Sequence, residues 1–192
     1  IVLKNGTIVL EGNSEEAVDF YLKKKNITNG IPILERKDRV GNGKIRVQDV
    51  QLLNENFEVV NHVISGETLI AKVSLKKFEH VNYSRLRVAI NFQNDQEENA
   101  LSFINDEMGA NFDDLNQKNE FYLKIPRFLL RGGKYNLRVF LSEENTNPEN
   151  FLDVIENELE VNVLPGDIWK TGIINRKGSG ALLPATFFFD EQ

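Results

Sequence analysis

Residue types that carry catalysis or bind metals are sparse in this sequence. Cysteine is absent, and the only two histidines, His62 and His80, lie in separate segments with no further ligand at metal-binding spacing. A zinc site needs several such side chains close together, so we expect no metal site and no cofactor. Neither the Gly-x-Ser-x-Gly nucleophile elbow nor the Gly-x-x-x-x-Gly-Lys-Ser/Thr phosphate loop occurs. The sequence therefore predicts a protein that is not an enzyme.

Carboxylates form the remaining clusters that could do chemistry, at 95–98, 106–107 and 113–114. A glycosidase would need two carboxylates about 5–10 Å apart across a cleft, and a calcium site would need several oxygen ligands. The spacing matches no EF-hand loop, which favours solvated loop charges over a calcium site.

Charge and composition narrow the possible partners. The net charge of −6 argues against nucleic acid, which requires a concentrated basic surface. No stretch reaches the roughly 20 apolar residues that span a bilayer, and no signal peptide is evident. The lack of cysteine fits a reducing compartment. Because the chain opens on Ile1, we expect it to be a fragment of a longer protein.

The elements that would position a binding site begin with a short appendage at 1–28. Ile1–Lys4 and Thr7–Leu10 flank Asn5-Gly6, a dipeptide typical of a type I′ hairpin turn. Asn13 followed by Glu16 predicts a helix start with a capping box. A hairpin and one helix cannot bury a core alone, so this piece must pack on another part of the protein.

After a predicted linker at 29–40, the chain from 41 to 165 has a β pattern almost throughout. The predicted strands are Lys44–Leu53, Thr68–Leu75, Arg85–Gln93, Ala100–Asn105, Glu120–Ile125, Tyr135–Leu141 and Glu158–Leu164. Several alternate between apolar and polar residues, as strands with one face on a core must. We therefore predict an all-β, immunoglobulin-like antiparallel β-sandwich with an N-terminal hairpin-helix appendage.

The last segment, 166–192, differs in character. It contains the only tryptophan, Trp169, a Gly-Ser-Gly turn and the apolar run Phe187–Phe189. Leaving three such side chains in water costs roughly 1.5–3 kcal/mol each. The run therefore needs a partner surface, and a strand exchanged between two copies of the chain would supply one.

Two regions carry a family resemblance. Residues 1–22 resemble the last hairpin and helix of an ABC-transporter nucleotide-binding domain. The β region is similar to the C-terminal domain on the ATPase subunit of O-antigen polysaccharide exporters, the Wzt family. The segments that carry this second likeness are GNGKIRVQDVQLLNENFE at 41–58, SGETLIAKVSL at 65–75 and IPRFLLRGGKYNLRVFLSE at 125–143.

The resemblance implies a specific role. Such domains recognise the finished, non-reducing end of a lipid-linked O-antigen polysaccharide before export. The implied partners are that polysaccharide, the transmembrane permease subunit and a second copy of the chain. The implied location is cytoplasmic, at the periphery of the inner membrane. Because the nucleotide-binding motifs are absent, we expect the fragment neither to bind nor to hydrolyse ATP.

A glycan site is expected on the polar outer face of one sheet. If alternate residues of the strands occupy the core, five polar or aromatic side chains are forced outward. These candidates are Arg87, Asn91, Tyr122, Arg138 and Phe140. Packing of Phe140 under a loop or against the N-terminal piece is an equal alternative for that residue.

Other functions stay open at this stage. The sandwich could dimerise or position ATPase subunits of a polysaccharide or teichoic-acid exporter without touching sugar. An unrelated extracellular adhesin is disfavoured by residues 1–22, and an enzyme has the least support.

Overall fold

The computed structural model describes residues 1–4, 7–13, 16 and 32–187. The ordered elements of these residues are strands and single-turn 3-10 helices. The strands are β1 Val2–Lys4, β2 Thr7–Leu10, β3 Arg39–Val40, β4 Ile45–Leu53, β5 His62–Ile64, β6 Leu69–Lys77, β7 Leu86–Gln93, β8 Asn99–Ile104, β9 Glu120–Ile125, β10 Gly133–Glu143 and β11 Phe151–Leu164. The 3-10 turns are Ile33–Glu35, Tyr83–Arg85, Asp113–Asn116 and Pro148–Asn150.

The N-terminal hairpin forms as predicted, with β1 and β2 antiparallel. The capping box also forms: the Glu16 amide donates to Asn13 Oδ1 at 2.8 Å, and the Asn13 amide donates to Glu16 Oε2 at 3.1 Å. The Asn5-Gly6 turn and the helix expected after Glu16 lie outside the described residues.

Two sheets build the sandwich. The larger sheet has the order β3-β11-β10-β7-β8, and β5 also pairs with β11. The smaller sheet has the order β4-β6-β9. The pairings are antiparallel except for β5 with β11, which run parallel. The prediction of an all-β sandwich is confirmed.

Alternation along the strands places one hydrophobic core between the sheets. In β10, Tyr135, Leu137, Val139 and Leu141 are buried in this core. Their counterparts from other strands include Val47, Val73, Ile90, Phe92, Val161 and Val163. Because successive side chains point to opposite faces, the residues between them must lie on the outer face of the larger sheet.

A buried ion pair connects the two sheets at one edge. Asp153 on β11 accepts hydrogen bonds from the Arg39 guanidinium, including one from Nε at 2.9 Å, and from the Val47 amide at 2.7 Å. Arg39 also donates to the carbonyl oxygens of Ile33 and Val47. Both charged groups are almost fully buried. The two sheets can therefore pack together at this edge only if each charge is paired with the other.

Three strand assignments differ from the sequence prediction. β11 begins at Phe151 rather than Glu158, and the two short strands β3 and β5 were not predicted. Both short strands form by pairing with β11. Strands of two or three residues have no periodicity of their own, so only the long neighbour defines them.

The segment after β11 lies against the sandwich as far as Leu182. The Leu182 side chain is buried and its amide donates to the Leu129 carbonyl at 2.7 Å, beside an isolated bridge between Leu130 and Ala181. Exchange of this segment between two copies stays a prediction. Phe188 and Phe189 lie outside the described residues.

Candidate functional site: a groove on the larger sheet

A groove of about 610 Å³ lies on the outer face of the larger sheet, over β7, β8 and β10. Four of the five residues predicted from alternation line it: Arg87, Asn91, Arg138 and Phe140. The strand register explains why. Arg138 lies opposite Asn91, and Phe140 opposite Ala89, so these positions share one face of the β7–β10 pair.

Two guanidinium groups in the groove are held by carboxylates. Arg87 Nε lies 3.2 Å from Asp106 Oδ2, and Arg138 Nε donates to Glu156 Oε1 at 2.5 Å. Each arginine uses one part of its five-donor fork in the ion pair. No other hydrogen bond of these two guanidinium groups forms within the described residues, which leaves N–H groups available in a preset orientation, and such preorganisation lowers the entropy cost of binding.

An aromatic pair closes one end of the groove. The Phe140 and Phe151 rings meet edge to face, with centroids 4.9 Å apart. Phe140 lies on the outer face as predicted, and of the two alternatives for its ring, exposed or covered, the structure shows the second: only 8% of it is accessible, and Phe151 packs against it. Phe151 is partly exposed, so it offers a ligand more ring surface than Phe140 does.

Neutral polar side chains complete the lining. Asn91 lines the groove although only 4% of it is exposed. The remaining hydrogen-bonding neutral residues were not predicted; they are Asn99, Ser102, Asn145 and Thr146. Asn99 and Ser102 belong to β8, which pairs with β7 across the turn at 94–98, whereas Asn145 and Thr146 lie in the turn before β11. No alternation continues back from Glu158 to Phe151, so no strand pattern in the sequence could have found Phe151.

Tyr122 is not part of this groove. It lies on β9, in the smaller sheet, where it is 46% exposed. The expectation of one shared sheet face therefore does not hold for this residue. Its hydroxyl donates to Glu120 Oε1 at 2.7 Å, and Lys72 Nζ lies 2.9 Å from Glu120 Oε2. The hydrogen bond to Glu120 raises the pKa of the Tyr122 phenol, while Lys72 lowers the pKa of Glu120.

Two other kinds of site are absent from the described residues. No group of three or more histidine or carboxylate side chains is arranged to hold a metal ion in that part of the chain. No helix there has the length and apolar character needed to span a bilayer.

The described residues form a two-sheet β-sandwich with a polar groove on one outer face. The family model described as the Wzt C-terminal domain matches residues 36–175, which is more than half of the chain. The chain belongs to this family. It is therefore one of the non-catalytic C-terminal domains found on ATPase subunits of polysaccharide ABC exporters.

One solved structure agrees on the fold. The crystal structure of the C-terminal domain of wzt is similar to this chain with a TM-score of 0.59 at 11% identity, over 80% of this chain and 90% of that chain. A Niemann-Pick type C2 protein from Japanese carpenter ant has a TM-score of 0.37 at 9% identity, over 65% of this chain and 96% of that chain, a likeness too low to inform fold or function. No protein of curated function matches.

Proposed function

We propose that the groove on the larger sheet binds the exported polysaccharide, at its terminal non-reducing end. The observation that carries this proposal is the convergence of two arginines and several amide and hydroxyl side chains beside an aromatic pair. Family membership supplies the substrate class, because the domain belongs to exporters of polysaccharide.

The chemistry of the groove suits a sugar. Each hydroxyl group of a sugar both donates and accepts hydrogen bonds, so a site needs donors and acceptors side by side. Arg87 and Arg138 supply donors, Asp106 and Glu156 supply acceptors, and Asn91 supplies both. The partly exposed Phe151 ring offers an apolar surface to the C–H face of a sugar ring.

The shape of the site agrees with a polymer ligand. The groove lies on the outer face of a sheet, where a chain end can enter while the rest of the polymer leaves the surface. A deep closed pocket would admit only a small free sugar. This domain would then act in the cytoplasm at the inner membrane, beside the permease subunit.

The same proposal includes a homodimer formed through the C-terminal segment. Leu183 is 76% exposed and Phe187 is fully exposed, in the stretch that follows the buried Leu182. Burying these side chains against a second copy would remove apolar surface from water. The double substitution Leu183→Ser with Phe187→Ser should give a monomer by light scattering; an unchanged dimer would contradict this part.

A positioning domain that never touches sugar is the second candidate. The observation that favours it is the pairing of Arg87 and Arg138 with carboxylates, since such ion pairs also occur on surfaces without ligands. If the domain only positions other subunits, Arg138→Ala in the groove would not change its affinity for polysaccharide.

Calorimetric titration with the polysaccharide of the source organism separates the two candidates. Arg138→Ala should weaken binding by roughly 1–3 kcal/mol if the residue is a central contact. Lys134→Ala is the matched control, because Lys134 also lies on β10, pairs with a β11 carboxylate (Glu160) and does not line the groove. Equal affinity of both variants and the unaltered chain, or no binding by any of them, would reject the glycan site.

A further inference from the structure

A second surface, separate from the groove, is built by the ten residues from Gly166 to Asn175, here called the 166–175 loop. Its two ends are tied together. The Asn175 amide donates to the Gly166 carbonyl at 2.9 Å, and the Gly166 amide donates to Asn175 Oδ1 at 2.5 Å. A Cβ on Gly166 would lie 2.2 Å from the Ser65 carbonyl oxygen, so only glycine lets the loop meet the sandwich here.

The inside of the loop is also ordered. Asp167 accepts hydrogen bonds from the amides of Thr171 at 3.0 Å and Gly172 at 2.7 Å. Arg127, in the connection between β9 and β10, donates a hydrogen bond to the Ile168 carbonyl at 3.2 Å. The backbone of the loop is therefore held from within and from outside, so the side chains at its tip are presented in a defined arrangement.

Large apolar side chains occupy the solvent side of this loop. Ile173 is 73% exposed, Ile174 is 64% exposed and Trp169 is 46% exposed. Single exposed apolar residues are ordinary, but three within six positions of one closed loop leave an apolar cluster in water. A loop held this firmly cannot turn the three side chains inward to escape solvent.

The segment that carries these apolar side chains is rich in basic residues. From Gly166 to Gly180 the sequence has three basic residues, Lys170, Arg176 and Lys177, and one acidic residue, Asp167. Arg127 and Arg131 reach the same segment through its carbonyl oxygens. No salt bridge formed within the described residues involves any of these five cations, and the Asp167 carboxylate is occupied by backbone amides.

We propose that the 166–175 loop is a contact with the surface of an anionic lipid bilayer. Tryptophan is favoured at the boundary between headgroups and acyl chains, where its ring meets apolar surface and its N–H meets water. Ile173 and Ile174 enter the acyl boundary, and the basic residues of the segment meet the anionic headgroups. This local basic surface belongs to a chain of net charge −6, so it is not a consequence of overall composition.

The combination identifies the occupant. A protein interface of standard size buries about 800 Å² on each partner and centres on a packed apolar core with a mixed polar rim. Here the exposed apolar set is only three side chains, and the segment from Gly166 to Gly180 that carries them has three basic residues against one acidic residue, which matches an anionic plane. A sugar would need side-chain acceptors in similar supply to donors, whereas cations outnumber carboxylates from Gly166 to Gly180.

This inference does not depend on the glycan groove. The groove lies over β7, β8 and β10, whereas the loop follows β11, and no residue lines both. The bilayer contact would hold the domain at the membrane where lipid-linked polymer is found, so the two surfaces would act together.

The single tryptophan makes the test direct, because Trp169 is the only source of tryptophan fluorescence in the chain. With vesicles of phosphatidylglycerol and phosphatidylcholine, we expect the Trp169 emission to shift to shorter wavelength and the protein to sediment with the vesicles. With vesicles of phosphatidylcholine alone, or at high salt, both effects should be much weaker because the headgroup attraction is lost or screened.

Variants assign the effect to the loop. The double substitution Ile173→Ser with Ile174→Ser should reduce the partition coefficient by about tenfold or more, since two apolar side chains no longer enter the acyl boundary. Replacing Lys170, Arg176 and Lys177 by Gln should remove the dependence on anionic lipid. Phe78→Ser is the matched control, because Phe78 is equally exposed elsewhere and should leave partitioning unchanged. Circular dichroism checks that each variant is folded.

Three results would overturn the proposal. The first is no fluorescence shift or sedimentation with anionic vesicles. The second is a shift that follows protein concentration without vesicles, which would assign the loop to a second copy of the chain. The third is a shift with soluble polysaccharide instead of vesicles, which would assign it to sugar. A loss of glycan binding through Arg138→Ala with vesicle binding intact would show that the two surfaces are independent.

Discussion

Arg138 on β10 and Asn91 on β7 lie directly opposite each other in an antiparallel pair, and both line the groove on the larger sheet. Opposite residues in such a pair have Cβ atoms about 4.5–5.5 Å apart, so a guanidinium and an amide are brought side by side. Their neighbours in each strand, Val139 and Ile90, are core residues that fix which way the two side chains face.

Phe140 and Phe151 should differ in their effects on stability. Phe140→Ala removes a nearly buried ring and should lower the free energy of unfolding by about 3 kcal/mol, whereas Phe151→Ala should cost less because that ring is partly exposed. Urea denaturation measures both. If Phe151→Ala proves the more destabilising change, Phe151 is a structural residue and its assignment as the sugar-facing ring fails.

The buried pair of Arg39 and Asp153 should be essential to the edge that joins the sheets. Asp153→Asn leaves a buried guanidinium without its counter-charge and should lower the free energy of unfolding by about 3–5 kcal/mol. Asp114→Asn is the control, because its exposed pair with Lys118 should make no measurable difference. Denaturation curves that coincide for Asp153→Asn and the unaltered chain would contradict this role.

The Lys72–Glu120–Tyr122 network should show a defined pH response. Lys72 lowers the pKa of Glu120, so this carboxylate stabilises the fold above its ordinary pKa, and that contribution is lost as the pH falls through the lowered value. Lys72→Met should raise the pKa of Glu120, as followed by NMR titration of its carboxyl carbon. An unchanged titration would mean that the ion pair does not form in solution.

Two turns repeat the same design and carry the same strain. In each turn, the side-chain oxygen of an asparagine, Asn54 or Asn94, accepts hydrogen bonds from the backbone amides two and four residues later. The residue three positions after the asparagine has a left-handed φ, which is 63° at Phe57 and 62° at Glu97. This conformation costs side-chain-bearing residues roughly 1–2 kcal/mol relative to glycine.

Glu97→Gly should therefore raise the free energy of unfolding by about 1 kcal/mol. Asp95→Gly, in the same turn but without a left-handed φ, should lower it slightly by adding freedom to the unfolded chain. Thermal or urea unfolding compares the two variants. If both substitutions lower the free energy of unfolding, the left-handed conformation at Glu97 does not measurably destabilise the protein.

Much of the fold could be predicted because most of the longer strands have their own periodicity. β4, β6, β7, β9 and β10 begin and end within about two residues of the predicted bounds. The alternation in β7 and β10 also placed Arg87, Asn91, Arg138 and Phe140 on the correct face. The N-terminal half of β11 was missed because its polar and apolar residues do not alternate strictly, with Asp153 facing inward toward Arg39.

Local sequence determined which side of each strand is buried, because that choice depends only on a period of two residues along one strand. Which strands become neighbours depends on contacts between distant segments, and only the tertiary structure decided it. That is why Tyr122, correctly predicted to face outward, lies on the smaller sheet and not beside Arg138. It is also why Phe140 faces outward as expected yet is covered, since Phe151 reaches it only after the chain has turned back through Pro148–Asn150.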